Sequence, residues 1–339
     1  MTNGSSQGLF VVVAVVIFGI LVVISYMLFR DTLSPTLASI FKESIFQTDK
    51  TIGDASGDLS YEYKSILRED ENNGTYYSKI REKDDKKDWT EIWIALEKVS
   101  SDNGDFFKII KSSINDENYD FGNSEMTGDI KIPAYLETTD GIRLPIKEIG
   151  EKSFENSKLT GDFYAPSVIY IDASAFKESK FNGYFYAENV EVVHHRSFEE
   201  SNFKGEVRFP KARFFGTSTF QQSTFTGKFY APEVEELHIN AFYLSEFTGD
   251  FEAKKLIRLE YGVFRFSKFN GKFRADSIES IGNNAFLYST FKGTFNAPKV
   301  IEIGYFAFNA SSFTELNSPL LTQEKLGSNN PSIYNLLKK

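Results

Sequence analysis

FQQSTFTGKFYAPEVEELHINAF, residues 220–242, holds one full copy of a phrase that recurs through the second half of the chain. A phenylalanine stands at each end, and the same 22-residue step links Phe154, Phe176, Phe198, Phe220, Phe242, Phe264, Phe286 and Phe308 without a slip. Between rungs the wording returns as Ser179-x-Phe181-x-Gly183-x-Phe185-x-Ala187 and as Ser289-x-Phe291-x-Gly293-x-Phe295-x-Ala297-Pro298. A fixed period in the 20s is the mark of a solenoid, whose units touch mainly their neighbours and share one continuous core.

The columns say how each unit is built. Phe163, Phe185, Val207, Phe229, Phe251, Phe273 and Phe295 alternate with small Ala165, Ala187, Ala231, Ala253, Ala275 and Ala297. Period-2 alternation with one apolar face is a strand. Stacked copies form a parallel sheet with strands about 4.8 Å apart. The glycines from Gly161 to Gly293 mark either positive φ or a close backbone approach. A serine column, Ser157 to Ser311, offers hydroxyls to turn amides.

Upstream, residues 9–29 (LFVVVAVVIFGILVVISYMLF) carry no charge. As a helix they span about 30 Å, the depth of a bilayer's hydrocarbon core. They predict an uncleaved transmembrane anchor, since no small-residue cleavage site follows. Arg30, Lys42 and Lys50 follow the span while residues 1–8 hold no Lys or Arg. Positive-inside counting therefore leans toward a cytoplasmic C-terminal portion, against the surface reading below. Ser34-Pro35 opens a short amphipathic helix with Leu37, Ile40, Phe41 and Ile45 on one face. A linker at 53–58 and a charged loop or hairpin around Asn73-Gly74 come next. Trp89, Ile92, Trp93 and Leu96, then Phe106, Ile109, Ile110 and Ile114, predict two helices by their spacing. Asp140-Gly141 lies between two alternating runs and predicts a hairpin that caps the open end of the array. Beyond Phe313, Leu316, Leu320, Leu321 and Leu326 cover the last unit, and Asn330-Pro331 starts a closing helix.

Two resemblances follow. IKIPAYLETTDGIRLPIKEIGEKSF, from Ile130, with Pro166-x-Val168-x-x-Ile171-x-x-x-Ala175-Phe176 and Pro298-x-Val300-x-x-Ile303-x-x-x-Ala307-Phe308, resembles the BspA-type leucine-rich repeats of surface proteins. The likeness runs over about residues 127–316, with serine where that family often has cysteine and phenylalanine for many leucines. It implies an adhesin-like surface scaffold. Gly8-Leu9-Phe10 and the apolar run are similar to the start of type IV pilin-like proteins, though the leader lacks a basic residue and Val13 stands where those carry glutamate. That implies a subunit whose helix packs in an assembly.

The expected architecture is a parallel-sheet repeat solenoid preceded by a transmembrane helix and a small, mainly helical region. Its parts are an anchor (1–30), a spacer (31–126), the array (127–316) and a C-terminal cap (317–339). If Phe163 and Ala165 point inward, two columns face out. Asp162, Tyr184, Glu206, Lys228, Asp250, Lys272 and Thr294 alternate in sign along their central run, which predicts cross-strand pairing. The second column offers Tyr164, Tyr186, Arg208, Tyr230 and Arg274 as a binding face, because Tyr and Arg dominate binding hot spots.

A net charge of −9 argues against nucleic acid. The absence of cysteine excludes thiolate metal sites and disulfides. His194 and His238 share a column two units apart, about 10 Å, too far to ligate one metal unaided. No nucleophile elbow, phosphate loop or zinc motif occurs, so catalysis and cofactors are not expected. The functional expectation is a membrane-anchored recognition scaffold with a protein or surface-glycan ligand. The alternative is a pilin-like, self-assembling structural subunit.

Overall fold

The computed structural model describes residues 67–70, 74–113, 125–138 and 140–337. The expected anchor (9–29), the pilin-like start and the Ser34-Pro35 helix lie outside the described residues.

From residue 125 onward the chain winds into a parallel β-solenoid. Each 22-residue turn contributes three short strands, and each strand pairs with its equivalents in the turns before and after. The first ladder runs through Lys158–Leu159, Lys180–Phe181 and Asn202–Phe203 to Ser312–Asn317. The second runs through Phe163–Tyr164, Phe185–Tyr186 and Val207–Arg208. The third runs through Tyr170–Ile171, Val192–Val193 and Phe214–Phe215. From Lys158 to Asn296 equivalent residues pair 22 apart without a shift, because a one-residue slip would turn every inward phenylalanine outward. Against the last strand a bulge between Phe291 and Thr294 changes the spacing to 21.

Inside, the phenylalanines form parallel stacks. Along the 22-residue ladder, neighbouring rings such as Phe176 and Phe198 lie 5.0 Å apart and 2° from parallel. Phe247 and Phe269 stack at 4.7 Å in the next column. Between columns the rings meet edge to face, as Phe220 and Phe229 do at 5.3 Å and 83°. Each such pair adds about 0.5–1.5 kcal/mol beyond area burial. The eight ladder rings are fully buried or nearly so, at about 1.5–3 kcal/mol each.

One turn breaks the pattern and repairs itself. Val207 stands where its neighbours carry Phe, and Phe209 stands where they carry Ala. The Phe209 ring lies 5.4 Å from Phe185 and 6.0 Å from Phe220, within the stack that Val207 thins.

Serine and glycine have distinct tasks. The buried Ser179, Ser201, Ser223 and Ser245 hydroxyls donate to the carbonyls of Phe154, Phe176, Phe198 and Phe220 in the preceding turn, at 2.6–2.8 Å. Some also accept an amide, as Ser201 Oγ does from Ser179 N. Of the two readings of the glycine column, close approach is correct. A Cβ on Gly205 would lie 2.1 Å from the Gly183 carbonyl oxygen, and one on Gly227 2.3 Å from that of Gly205. Positive φ falls elsewhere, at two corners of each six-residue turn, such as Arg196 and Glu200 (φ 57 and 57).

Residues 68–113 correct the helical expectation. They form β1 (Arg68–Asp70), β2 (Thr75–Arg81), β3 (Ile92–Val99) and β4 (Phe106–Ser113), each antiparallel to the next. The hairpin around Gly74 is as expected. Ile92, Trp93, Ile94, Ala95 and Leu96 are all buried, so no face of this segment needs to be polar. β4 then pairs in parallel with the strand Arg143–Ile149, so this sheet extends the third ladder past its first turn. Trp93 is core, whereas Trp89 is half-buried beneath the Arg81 guanidinium.

The Asp140-Gly141 hairpin forms as expected, pairing Tyr135–Glu137 with Arg143–Ile149. Arg81, itself buried, donates to the Thr90, Thr127 and Asp129 carbonyls beside the first turn. At the other end Leu321, Leu326 and Ile333 are buried, with a 3-10 helix at Pro331–Leu336. There Asn330 Oδ1 accepts the Phe308 amide (2.7 Å) and Ser332 Oγ the Ala310 amide (2.8 Å), 22 residues apart in each case. In earlier turns a backbone carbonyl does this, as Ala307 O does for Phe286 N. The cap thus keeps the repeat's spacing and substitutes side chains for the missing turn.

Candidate functional site

The second ladder places Tyr164, Tyr186, Arg208 and Tyr230 on four consecutive strands in direct register, side chains outward and half-buried. Their inward neighbours Phe163, Phe185, Val207 and Phe229 are fully buried and fix the strand face. The structure therefore brings four of the five candidate residues together. Arg274 is set apart: Glu252 lies between it and Tyr230, and its guanidinium is engaged by Asp276 at 2.9 Å.

The four touch one another. Tyr164 and Tyr186 meet edge to face at 6.4 Å. Arg208 carries its guanidinium 4.9 Å from the Tyr230 ring centre and 5.8 Å from that of Tyr186. Burial, then the hydrogen bond to Asp162 Oδ2 (2.9 Å), pushes the Tyr164 phenol well above its usual range, so it stays protonated.

Charges along this face divide into spent and unspent. Lys228 and Lys254 bind Glu252 at 2.5 and 3.1 Å. Burial works against the Glu252 carboxylate, but the two lysines outweigh it and hold the carboxyl below its usual range. Arg208 differs. Its nearest acid, Glu206, is 3.8 Å away, beyond hydrogen-bond length. Its Nε is buried without a hydrogen-bond partner.

The outer charged column does not behave as expected. Among the described residues no ion pair joins neighbours in it. Asp162 and Asp250 instead accept the backbone amides of Tyr184 and Lys272 one turn on, at 2.7 and 2.8 Å. A short aspartate beside a tight turn reaches the next amide more readily than a distant ammonium.

His194 and His238 stand two turns apart, His238 Nδ1 facing Glu260 Oε2 at 3.4 Å beside the Phe214 ring. Among the described residues no cluster of three or more His, Asp or Glu side chains is arranged to hold a metal. A shallow groove lined by Glu235, Lys255, Ile257, Ser277, Glu279 and Lys299 includes none of the strip residues.

Sequence reasoning missed the left-handed corners. Asn240, Gly262 and Asn284, 22 residues apart, were the available signal, since Asn and Gly favour that backbone region.

The BspA type leucine rich repeat region matches residues 117–248 and 258–329. This chain belongs to the BspA-type leucine-rich repeat family. Its matched region contains the whole Tyr–Arg strip and almost all of the solenoid. No curated protein matches the chain.

Proposed function

We propose that the protein is a non-catalytic recognition scaffold, tethered to a membrane through residues 9–29 and displaying its solenoid at the cell surface. The ligand, a protein or surface glycan, docks on the second-ladder strip of Tyr164, Tyr186, Arg208 and Tyr230. One observation carries this reading. Arg208 lies against two tyrosine rings with hydrogen-bonding capacity unspent, while the lysines and the arginine next along the face are paired to acids. Tyrosine and arginine in a rigid, partly desolvated row are what binding hot spots are made of. A sheet of register-locked strands also loses little freedom on binding. Membership of a repeat family known for surface scaffolds supports the same reading.

The test is a binding screen of the full chain against extracellular-matrix proteins and glycans, repeated with Arg208→Ala and Tyr230→Ala. Each substitution should weaken a true ligand at least about tenfold, the loss of one hot-spot side chain. Lys180→Ala on the first ladder should leave it unchanged. Equal binding by all three variants would place the ligand elsewhere.

A further inference from the structure

The six-residue turns at the Phe-ladder edge come in two kinds. Those at 151–156, 173–178, 195–200 and 217–222 are polar and include Glu151, Glu155, Glu178, Glu199 and Glu200. Those at 239–244, 261–266, 283–288 and 305–310 contain no carboxylate and a single charge, Arg265. On them Ile239, Leu244, Tyr261, Tyr288, Tyr305 and Phe306 are 38–59% exposed. Leu244, Phe266, Tyr288 and Phe306 also occupy left-handed corners, with φ of 54–59. Bulky side chains are outliers there. The corners upstream equivalent to Leu244, Phe266 and Tyr288 hold Glu178, Glu200 and Gln222, and those equivalent to Phe306 hold Ser174, Arg196 and Ser218. Neither solubility nor local backbone preference accounts for this edge.

We propose that this edge is the contact face for a second copy of the same chain, related by a two-fold axis near Phe266. The inference is separate from the recognition strip, which lies on another ladder. Three observations carry it. The first is pattern. Leu244, Phe266 and Tyr288 step evenly by 22 residues, and so do Asn240, Gly262 and Asn284. A copy turned by 180° meets the same spacing, with Leu244 opposite Tyr288 and Asn240 opposite Asn284. Phe266 and the side-chain-free Gly262 then fall at the centre. A two-fold interface requires this kind of self-complementary patch.

The second is charge. In a chain of net charge −9, the four turns of this edge carry no carboxylate of their own, and Glu260 at their rim is engaged by the Ile239 amide (3.0 Å) beside His238. Its Arg265 is held against its own Phe266 and Tyr243 rings, at 5.0 and 6.0 Å.

The third is area. With about 200 Å² of surface for each large side chain, the six exposed residues present about 550 Å². Phe266, Tyr243, Arg265 and the asparagines bring the edge near the roughly 800 Å² each partner buries in a standard interface. A sugar ring suits it less. Phe266 and Tyr288 stack on each other at 5.0 Å and 4°, so ring faces are covered and edges presented.

The chain has no cysteine, so an introduced thiol reports only on itself. The test uses the full-length protein with Phe266→Cys, Leu244→Cys, Tyr288→Cys and, on a polar turn, Gln222→Cys, under mild oxidation. All four positions are on the surface, and unchanged circular dichroism will verify folding. Phe266→Cys should give a disulfide-linked dimer. A mixture of Leu244→Cys and Tyr288→Cys chains should cross-link more than either alone, and Gln222→Cys should not. Equal cross-linking at residues 222 and 266, or none at either, overturns the proposal. So does a polarity-sensitive dye on Cys-substituted residue 266 that responds to phosphatidylcholine vesicles but not to protein concentration, because the face would then meet a bilayer.

Discussion

The exchange at Val207 and Phe209 allows the packing account to be tested by a double-mutant cycle. Phe209 is fully buried, and its ring lies 5.4 Å from Phe185, 5.9 Å from Phe198 and 5.5 Å from Phe215. Phe209→Ala alone leaves a ring-sized void beside a valine that cannot fill it, at a cost of about 3–5 kcal/mol. Val207→Phe alone forces a second ring into space Phe209 already occupies, costing about 1–3 kcal/mol. Together they recreate the Phe-x-Ala pair of the neighbouring turns, and the double variant should lie within about 1.5 kcal/mol of the parent. The coupling between the sites is therefore at least about 2 kcal/mol. Thermal melts followed by circular dichroism can read this, at about 2–4 °C per kcal/mol for a domain of this size. Phe209→Ala should lower Tm by about 10 °C and the added Val207→Phe should restore most of it. If the double variant loses the sum of the two single losses, Phe209 does not compensate for Val207 and the packing argument fails.

Three further outcomes follow from the same structure. Gly205→Ala places a Cβ about 2.1 Å from the Gly183 carbonyl, so the stack must open, and limited proteolysis should cut near that turn in the variant alone. Ser223→Ala removes one of the two donors to the Phe198 carbonyl, leaving the Ser201 amide at 3.2 Å, and should cost about 0.5–1.5 kcal/mol by chemical denaturation, the net worth of one hydrogen bond. Ser223→Cys, a weak donor of similar size, should cost less. Glu252 has its folded pKa lowered below its ordinary value, so its contribution is present in full above the usual glutamate range and fades as pH falls through that range to the folded value. Melts between pH 7 and pH 3 should therefore show a steeper acid loss for the parent than for Glu252→Gln.

Much of this fold is legible in the chain because the period does the work of an alignment within one molecule. Eight copies of a phenylalanine in one column leave little doubt about which face is inside, and the register follows from it. The Tyr–Arg strip is legible for the same reason: once Phe163 points in, Tyr164 must point out, and equivalent positions become neighbours. What spacing could not give is the state of a segment that is buried all round. Residues 92–96 fit a helical period and a covered strand equally well, and the five buried side chains there removed the polar face that would have decided. In β4, Phe107 and Ile109 are buried while Phe106 and Ile110 are only half-buried, the alternation of a strand. The β-branched content of Ile92, Ile94, Val99 and Ile109 was the signal to weigh. Pairing with Arg143–Ile149, a contact no local pattern contains, is what holds the segment extended. The unspent hydrogen bond of Arg208 is a fact of three dimensions, although the sequence hints at it: Asp276 stands two residues after Arg274, where Pro210 follows Arg208.

The reading of the protein as a surface recognition scaffold turns first on where the solenoid resides. Brief protease treatment of intact cells, with immunodetection of the repeat array before and after lysis, measures this directly. The account predicts that the array is lost from intact cells while a cytoplasmic marker survives. Protection of the array until lysis would put the solenoid inside the cell, in line with the charge bias at Arg30, and would contradict the account.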